Sequence, residues 1–351
     1  MSALPFPTLP GRATAGASTG GLVDQHGRVA TDLRVSLTDR CNLRCSYCMP
    51  PEGLDWLPTD DVLTDDEVVR LVGIGIEHLG VREVRFTGGE PLVRRGLVDI
   101  VGRVRSLDPD VELSITTNAL GLARTAPALA AAGLDRVNVS LDSVRPEVYA
   151  AVTRRDRLHD AIAGIEAADA AGLSPVKVNA VLLRGLNDGE APELVRWALA
   201  AGYELRFIEQ MPLDAQHGWS REKMVTADEI LASLEAAFVV TPADEQRGSA
   251  PAERFDVDAG AGLRGRVGVI ASVTRPFCGD CDRVRLTADG QVRNCLFARH
   301  ESDLRAALRG GADDDEIARR WRAAMWTKAP GHGIDDPSFL QPTRPMSAIG
   351  G

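Results

Sequence analysis

Short segments of strand character alternate with Ala- and Leu-rich helical segments from about residue 31 to residue 210, and this alternation limits the fold more than any other feature. The predicted strands are Leu33–Leu37, Glu83–Thr87, Glu112–Thr116, Arg136–Leu141, Val176–Leu182 and Glu204–Glu209. The predicted helices between them are Asp65–His78, Gly96–Arg105, Arg124–Ala132, Leu158–Ala171 and Ala191–Ala201. Strands separated by helices form a parallel sheet with the helices outside. The alternation therefore predicts an α/β fold, a full or partial TIM-like barrel.

Polar side chains occupy alternate positions of several predicted strands. Arg85 and Thr87 share one face of the second strand, and Asn138, Ser140 and Asp142 share one face of the fourth. Side chains alternate across a strand, and the outer helices need the apolar faces, so the polar faces should point into the barrel. An ordinary TIM barrel fills its interior with branched apolar side chains. A polar interior predicts an open barrel that holds a polar ligand, and a half-solvated antiparallel sheet is the alternative.

The pattern divides the chain into three regions. Residues 1–30 are rich in Gly, Ala, Pro, Ser and Thr and are predicted to be an irregular lead-in, and residues 31–215 form the barrel. Residues 216–351 form a C-terminal region in which the periodicity weakens. Within it, residues 241–266 are polar and Gly-rich, and residues 301–326 are predicted to be helical.

Charge and hydropathy exclude two classes of partner. The net charge is −10, which argues against a general nucleic-acid binder. No stretch approaches the ~18 apolar residues of a membrane span. The N-terminus lacks the charged-then-apolar order of a secretory signal, so we expect a cytoplasmic protein.

The first of two cysteine groups directly follows the first predicted strand. Cys41, Cys45 and Cys48 have the spacing C-x3-C-x2-C, and Tyr47 precedes the third cysteine. Three thiolates can hold three irons of a [4Fe–4S] cube and leave the fourth iron open, whereas electron-transfer clusters commonly have four Cys ligands. A structural zinc site, which prefers four ligands, or three free thiols are the alternatives. At the end of the second strand stands Thr87-Gly88-Gly89-Glu90-Pro91, whose glycines allow a close approach of backbone to a ligand.

The second cysteine group lies in the C-terminal region. Cys278, Cys281 and Cys295 have the spacing C-x2-C-x13-C, which again offers three ligands and an open fourth position. An incomplete zinc ribbon is the alternative. Arg283 and Arg285 follow two residues apart, so an extended backbone would place both guanidinium groups on one face, suited to phosphate. The alternative is that both arginines are solvated surface residues without a ligand.

These motifs resemble those of one family, the GTP 3′,8-cyclases of the radical S-adenosylmethionine superfamily, from about residue 31 to the end. The resemblance implies an incomplete (β/α)6 barrel with a C-terminal extension that carries a second iron–sulfur cluster. It implies two [4Fe–4S] clusters and S-adenosylmethionine as cofactors and GTP as substrate. In the family, a 5′-deoxyadenosyl radical takes the hydrogen from ribose C3′. C3′ then attacks C8, which gives 3′,8-cyclo-7,8-dihydro-GTP in the first step of molybdopterin biosynthesis.

The resemblance also implies roles for residues of this chain. Cys41, Cys45 and Cys48 would bind the first cluster, and Cys278, Cys281 and Cys295 the second. The S-adenosylmethionine contacts would be Tyr47, Gly89, Ser140 and Met211. The GTP contacts would be Arg34, Arg85, Thr116, Lys177, Arg283, Val284 and Arg285. Gly350 and Gly351, the terminal pair, would reach into the active site and assist radical initiation.

Lys177 is one of three lysines in the chain and lies on the inward face of its predicted strand. A buried lysine is costly unless it meets an anion, and a triphosphate supplies one. Met211 is more often a core residue than a ligand contact.

The family also implies partners. They are a reductant of the flavodoxin or ferredoxin type and the next enzyme, cyclic pyranopterin monophosphate synthase. A homodimer is the default expectation. Two other functions compete: a radical S-adenosylmethionine peptide-modifying enzyme with an auxiliary cluster, and a non-catalytic iron–sulfur or zinc protein.

Overall fold

The computed structural model describes residues 20–350. The strands are β1 (Leu22–Val23), β2 (Val29–Ala30), β3 (Asp32–Ser36), β4 (Glu83–Thr87), β5 (Glu112–Thr117), β6 (Arg136–Ser140), β7 (Lys177–Val181), β8 (Glu204–Ile208), β9 (Val239–Pro242), β10 (Glu253–Asp258), β11 (Arg264–Ile270), β12 (Arg283–Leu286), β13 (Gln291–Arg293) and β14 (Ser302–Asp303). The helices are α1 (Asp65–Leu79), α2 (Leu97–Leu107), α3 (Leu122–Ala131), α4 (Pro146–Thr153), α5 (Leu158–Ala170), α6 (Ala191–Ala201), α7 (Ala227–Glu235), α8 (Arg305–Arg309), α9 (Asp314–Trp326) and α10 (Met346–Ile349).

One sheet contains all strands except the β1–β2 hairpin. Its order is β14-β13-β12-β3-β4-β5-β6-β7-β8-β11-β10-β9. Strands β12, β3 to β8 and β11 run parallel to one another, and the outer strands on both sides pair antiparallel. Within residues 20–350, β11 and β12 do not pair with each other, so the barrel is not closed. The prediction of an incomplete TIM-like barrel with a C-terminal extension is confirmed.

Local signals define where the helices begin and end. The hydroxyl of Thr64 accepts a hydrogen bond from the backbone N–H of Glu67 at 3.2 Å, and the Glu67 carboxylate accepts one from the Thr64 backbone N–H in return. Thr226 forms the same capping box at the start of α7. Gly80 and Gly202 end α1 and α6 in the left-handed conformation, with φ of 74° and 77°. The chain can therefore turn back sharply into β4 and β8.

The outward faces of the barrel strands form the core. Each central strand contributes fully or nearly fully buried apolar side chains that pack against the helices. These side chains are Leu33, Val35, Val84, Phe86, Leu113, Ile115, Val137, Val139, Val178, Ala180, Leu205 and Phe207. The residues between them alternate to the inner face, which is therefore the polar face, as the sequence predicts.

Three expectations need correction. Residues 22–30, predicted as part of an irregular lead-in, contain the β1–β2 hairpin. The polar segment 241–266, in which no element was predicted, contains β10 and the start of β11, which pairs antiparallel with β10 and extends the barrel beside β8. The helical stretch predicted over 301–326 is broken at Gly310 and Gly311 into α8 and α9, and Gly311 has a φ of 82°. In residues 20–350, none of the helices is long and apolar enough to span a membrane.

Candidate functional site

The register of the parallel strands places a row of polar side chains on the inner face of the sheet. Arg285 of β12 pairs with Arg34 of β3, and Arg34 pairs with Arg85 of β4. Arg85 pairs with Ser114 of β5, and Ser114 pairs with Arg136 of β6. We call the space bounded by the inner faces of β12 and β3 to β8 the chamber.

A second row lies nearer the carboxyl ends of the strands. Thr116 pairs with Asn138, Asn138 with Lys177, and Lys177 with Glu204. The predicted substrate residues on the central strands thus lie in two adjacent rows of one chamber. Val284 differs, because its side chain is fully buried in the apolar core on the opposite face of the sheet.

The inner face carries more cations than carboxylates. Arg34 forms an ion pair with Asp32 at 3.2 Å, and Glu83 contacts both Arg136, at 2.6 Å, and Arg85. The cations are Arg34, Arg85, Arg136, Lys177, Arg206, Arg283 and Arg285. The carboxylates are Asp32, Glu83, Glu112 and Glu204. The excess positive charge suits an anionic ligand.

Burial and crowding of like charges lower the pKa of several of these cations. Burial and, next, the Arg34 charge lower the pKa of Arg85 to about 10 and that of Arg285 to about 9. Burial and then Arg206 lower the pKa of Lys177 to about 8. Keeping each of these groups charged therefore costs free energy, and a bound polyanion would reduce that cost.

Several buried polar atoms around the chamber have no hydrogen-bond partner in the described part of the chain. They are Asp32 Oδ1, Arg34 Nε, Thr87 Oγ1, Asn179 Oδ1 and Arg283 Nε. Buried polar groups are normally hydrogen-bonded, so unmet groups concentrated in one space indicate a place for a polar ligand.

The first cysteine group lies on the loop that leaves the carboxyl end of β3. The backbone N–H of Arg44 donates to Thr153 O at 3.1 Å, and that of Ser46 donates to Val152 O at 2.9 Å, which ties the loop to the end of α4. The Leu43 N–H donates to Cys41 Sγ at 3.4 Å. The three cysteines are half-buried and free of disulfides.

The environment of this group raises the pKa of every thiol. Burial, with Glu90 also contributing, raises the pKa of Cys41 to about 11. Burial, with Cys41 also contributing, raises the pKa of Cys48 to about 12. For Cys45, burial and then the Asp142 charge raise the pKa well above its ordinary value. The three thiols lie on one short loop, and cationic iron would displace their protons.

The two glycines after β4 pack directly against the cysteine loop. A Cβ atom on Gly88 would overlap Thr38 O, and one on Gly89 would overlap Arg40 O. The Gly89 N–H donates to Thr38 O at 2.7 Å, and the Glu90 N–H donates to Arg40 O at 2.9 Å. These glycines were predicted to allow close approach to a ligand; here they also allow close approach to the loop itself.

Glu90 joins this turn to the end of β5, a role that the sequence analysis did not identify. Its buried carboxylate accepts hydrogen bonds from Thr117 Oγ1 and from the Asn118 N–H, both at 2.7 Å. The Asn118 amide in turn donates to Asn42 Oδ1 at 2.7 Å, beside Cys41. Burial raises the pKa of Glu90 to about 7. A carboxylate directly after the double glycine was the available signal, but Thr117 and Asn118, which donate to it, lie at the end of another strand.

Asp142 is a second residue whose role the sequence left unassigned. Its carboxylate accepts a hydrogen bond from the Tyr47 hydroxyl at 2.9 Å and one from the Val181 N–H at 2.8 Å. Burial raises its pKa to about 6. Ser140 lies at the end of β6 just before it. The Tyr47 side chain thus connects the cysteine loop to the carboxyl ends of β6 and β7.

The second cysteine group lies at the opposite edge of the barrel. Cys278 and Cys281 precede β12, which runs parallel to β3, so they lie at the amino end of the strands. Cys295 follows β13, which runs antiparallel to β12 and returns to that edge. Arg283 pairs with Asp32 across the strands and stacks over the Phe277 ring at 4.9 Å. The arginines of the chamber therefore lie between the two cysteine groups.

A single metal ion has no prepared site in the described residues. In residues 20–350, no group of three or more His, Cys, Asp or Glu side chains is arranged to hold one ion. The set of side chains that a mononuclear zinc site would need is therefore not found in that range. Each group nevertheless offers three soft thiol donors that influence one another, the donor chemistry of iron–sulfur clusters.

The C-terminal tail enters the chamber. The Arg285 guanidinium donates a hydrogen bond to the Gly350 carbonyl, and Gly350 has a φ of 73°. A Cβ atom on Gly350 would overlap Thr87 Oγ1 and lie 3.2 Å from Ser36 Cβ. Met211 is partly buried and packs beside Ile349 in a small apolar cluster, as expected of a core residue. Gly351 lies outside the described residues, as do residues 1–19 of the predicted lead-in.

Two family models match the chain. The Radical SAM superfamily matches residues 35–198, and Molybdenum Cofactor Synthesis C matches residues 203–334. A protein of Streptomyces coelicolor named GTP 3′,8-cyclase is 67% identical over 331 residues, which are 94% of this chain and 96% of the relative. The chain belongs to the GTP 3′,8-cyclase family. A Paenarthrobacter nicotinovorans relative of the same name is 57% identical and aligns over 98% of this chain and 100% of its own length.

Family membership confirms the resemblance predicted from the motifs and the prediction of an enzyme. S-adenosylmethionine and an iron–sulfur cluster are the cofactors of the radical S-adenosylmethionine fold. Among solved structures, Streptococcus suis SuiB bound to S-adenosylmethionine has a similar fold, with a TM-score of 0.57. The sequences are 14% identical, and the match covers 88% of this chain and 66% of SuiB.

Proposed function

We propose that this chain converts GTP to 3′,8-cyclo-7,8-dihydro-GTP, the first step of molybdopterin biosynthesis. The observation that carries the proposal is the chamber, with one cysteine triplet at each edge of the same parallel strands and a row of arginines between them. When bound, the cluster and S-adenosylmethionine at the first edge supply the 5′-deoxyadenosyl radical that takes the ribose hydrogen. The chain's own residues orient the nucleotide so that C3′ faces C8.

The proposed ligands of the first cluster are Cys41, Cys45 and Cys48. The support is their position on one pinned loop at the carboxyl edge, where barrel enzymes hold their active sites. We assign the S-adenosylmethionine contacts to Tyr47, Gly89, Ser140 and Met211, which lie on that loop, on the turn after β4, at the end of β6 and after β8.

We propose that Cys278, Cys281 and Cys295 hold a second [4Fe–4S] cluster whose open iron receives the guanine ring. Three thiols at the amino edge, with no fourth cysteine in the chain to complete them, support an open position.

The proposed GTP contacts are Arg34, Arg85, Thr116 and Lys177, with Arg283, Val284 and Arg285 at the second edge. The excess of cations, the lowered pKa of Lys177, Arg85 and Arg285, and the unpartnered Nε atoms of Arg34 and Arg283 support this assignment. Val284 could contribute through its backbone alone, because its side chain lies in the core.

We further propose that Gly350 and Gly351 assist radical initiation. The contact of Gly350 with Arg285 and its tight fit against Thr87 and Ser36 support this role. Deletion of both glycines should abolish cyclisation while iron and sulfide contents stay unchanged. Full activity of the shortened chain would refute the role.

The proposal includes a one-electron donor of the flavodoxin or ferredoxin type and a cytoplasmic location. It also includes cyclic pyranopterin monophosphate synthase as the next enzyme, and a homodimer. The reaction supports the electron donor, since the cluster must be reduced. It also supports the next enzyme, since the product must be consumed.

The deciding experiment incubates anaerobically reconstituted protein with GTP, S-adenosylmethionine and a reductant. We expect about eight irons per chain, 5′-deoxyadenosine, and a product isomeric with GTP. Formation of 5′-deoxyadenosine at the same rate without GTP would point to another substrate. Zinc without sulfide would overturn the proposal.

A further inference from the structure

Lys328 is a buried lysine that contacts a cysteine of the second group. Its side chain is almost completely shielded from solvent, with 2% of the residue exposed. The Nζ atom donates to Cys281 O at 3.0 Å, to Arg283 O at 2.9 Å and to Cys281 Sγ at 3.4 Å. An ammonium group has three N–H donors, so all of them are used. In residues 20–350, no carboxylate forms an ion pair with Lys328, so its burial needs another source of negative charge. Among its three hydrogen-bond partners, the thiol sulfur of Cys281 is the one that can carry a full negative charge.

The surrounding segments hold Lys328 in place. It follows α9 directly, and its backbone N–H donates to Met325 O at 3.0 Å. From the β1–β2 hairpin, Arg28 donates to Cys278 O at 2.6 Å and to Ala329 O at 2.6 Å. The hairpin thus ties the backbone of Cys278 to the segment that carries Lys328. The lysine is therefore fixed at the sulfur by two independent elements.

The two cysteine groups differ in their charged neighbours. The carboxylates of Glu90 and Asp142 act on Cys41 and Cys45 at the first edge. At the second edge, the Cys281 sulfur instead faces two cations, because Lys328 Nζ lies 3.4 Å from it and an Arg283 guanidinium nitrogen lies 3.9 Å from it. The chamber is thus electrostatically asymmetric, with its more positive end at Cys281.

We propose that Lys328 is a positioning residue for the second cluster, and that its ammonium group beside Cys281 Sγ raises the reduction potential of that cluster. The inference rests on the second cluster of the proposed function. A positive charge beside a ligand sulfur stabilises the reduced, more negative cluster, and hydrogen bonds to the sulfurs are a known control of cluster potential.

The test uses the full chain with Cys41, Cys45 and Cys48 replaced by Ala, so that only the second site can hold iron. About four irons per chain in this background establish the second cluster; no iron there would refute the cluster itself, a separate failure from that of Lys328. Lys328→Met in this background should shift the potential, measured by EPR-monitored titration, to more negative values. Lys328→Arg keeps the charge and should restore most of the shift, and Lys223→Met removes an exposed lysine and should change nothing.

Each outcome decides the proposal. A cluster retained in Lys328→Met with unchanged potential overturns it, whereas loss of iron in Lys328→Met but not in Lys328→Arg supports it. If both variants lose iron, the unmodified holoprotein with ¹⁵Nζ-labelled lysine decides. Hyperfine coupling of the reduced second cluster to a lysine nitrogen then supports the contact, and its absence overturns it.

Discussion

Replacement of Lys177 by Met should raise the stability of the protein without GTP. Burial, and then Arg206, lower the pKa of this lysine from 10.5 to about 8. Between pH 8 and 10.5 the unfolded chain therefore binds more protons than the folded chain. The free-energy penalty of burying the charged lysine is complete below pH 8 and disappears as the pH rises through this window. A shift of this size corresponds to roughly 3 kcal/mol, and partial exposure reduces it to on the order of 1–2 kcal/mol. Scanning calorimetry of the reconstituted protein should show a higher thermal midpoint for Lys177→Met.

The same substitution should weaken GTP binding. Loss of one charge-assisted hydrogen bond to a phosphate costs about 1.5–3 kcal/mol, or roughly a 10- to 150-fold rise in Kd. Anaerobic calorimetric titration with GTP, without reductant, measures this rise in Kd. The affinity of the unchanged protein should also fall above about pH 8, and that of Lys177→Met should lack this step. Lys223→Met is the control at an exposed site. A destabilised variant that binds GTP with unchanged affinity would refute the reasoning.

Two further variants test the first edge of the chamber. Gly89→Ala should overlap Arg40 O and displace the cysteine loop, so iron content should drop by about half; Gly102→Ala, whose Cβ has an ordinary contact at 3.9 Å, should keep all its iron. Tyr47→Phe should leave the Asp142 carboxylate without one donor, lower the free energy of unfolding by about 1–3 kcal/mol and weaken S-adenosylmethionine binding. Unchanged denaturation and binding curves would show that this hydrogen bond has no such role.

The central barrel was predictable because its signals are local. β4 has the predicted bounds, and β3, predicted over Leu33–Leu37, is Asp32–Ser36. The alternation of apolar and polar residues also predicted which side chains face inward. In contrast, the sequence around β10 and β11 indicates only a polar, Gly-rich segment, because β10 and the start of β11 carry many charged residues. Their identity as strands depends on pairing between distant segments, since β11 pairs with β8 and β10 pairs with β11, and local composition does not encode these contacts.

The candidate site was predictable in its residues but not in its arrangement. The cysteine spacings identified the two triplets, yet their placement at opposite edges depends on β12 running parallel to β3. Glu90 and Asp142 were missed as site residues because the partners that place them, Thr117 and Tyr47, are 27 and 95 positions away along the chain. Lys328 is likewise paired with Cys281 over a separation of 47 residues.

The incomplete closure of the barrel explains how its polar interior can be stable. Eight parallel strands are present, but β11 and β12 do not pair in the described chain, so the interior is not compressed into layers of apolar side chains. Its arginines and Lys177 instead stay partly unpaired, at a free-energy cost that the outward apolar core must offset. A polyanion recovers that cost on binding. If Lys177 served stability alone, replacing it would destabilise the protein. Because Lys177 serves to bind an anionic ligand, its replacement should instead raise the stability of the protein without GTP and lower its affinity for GTP.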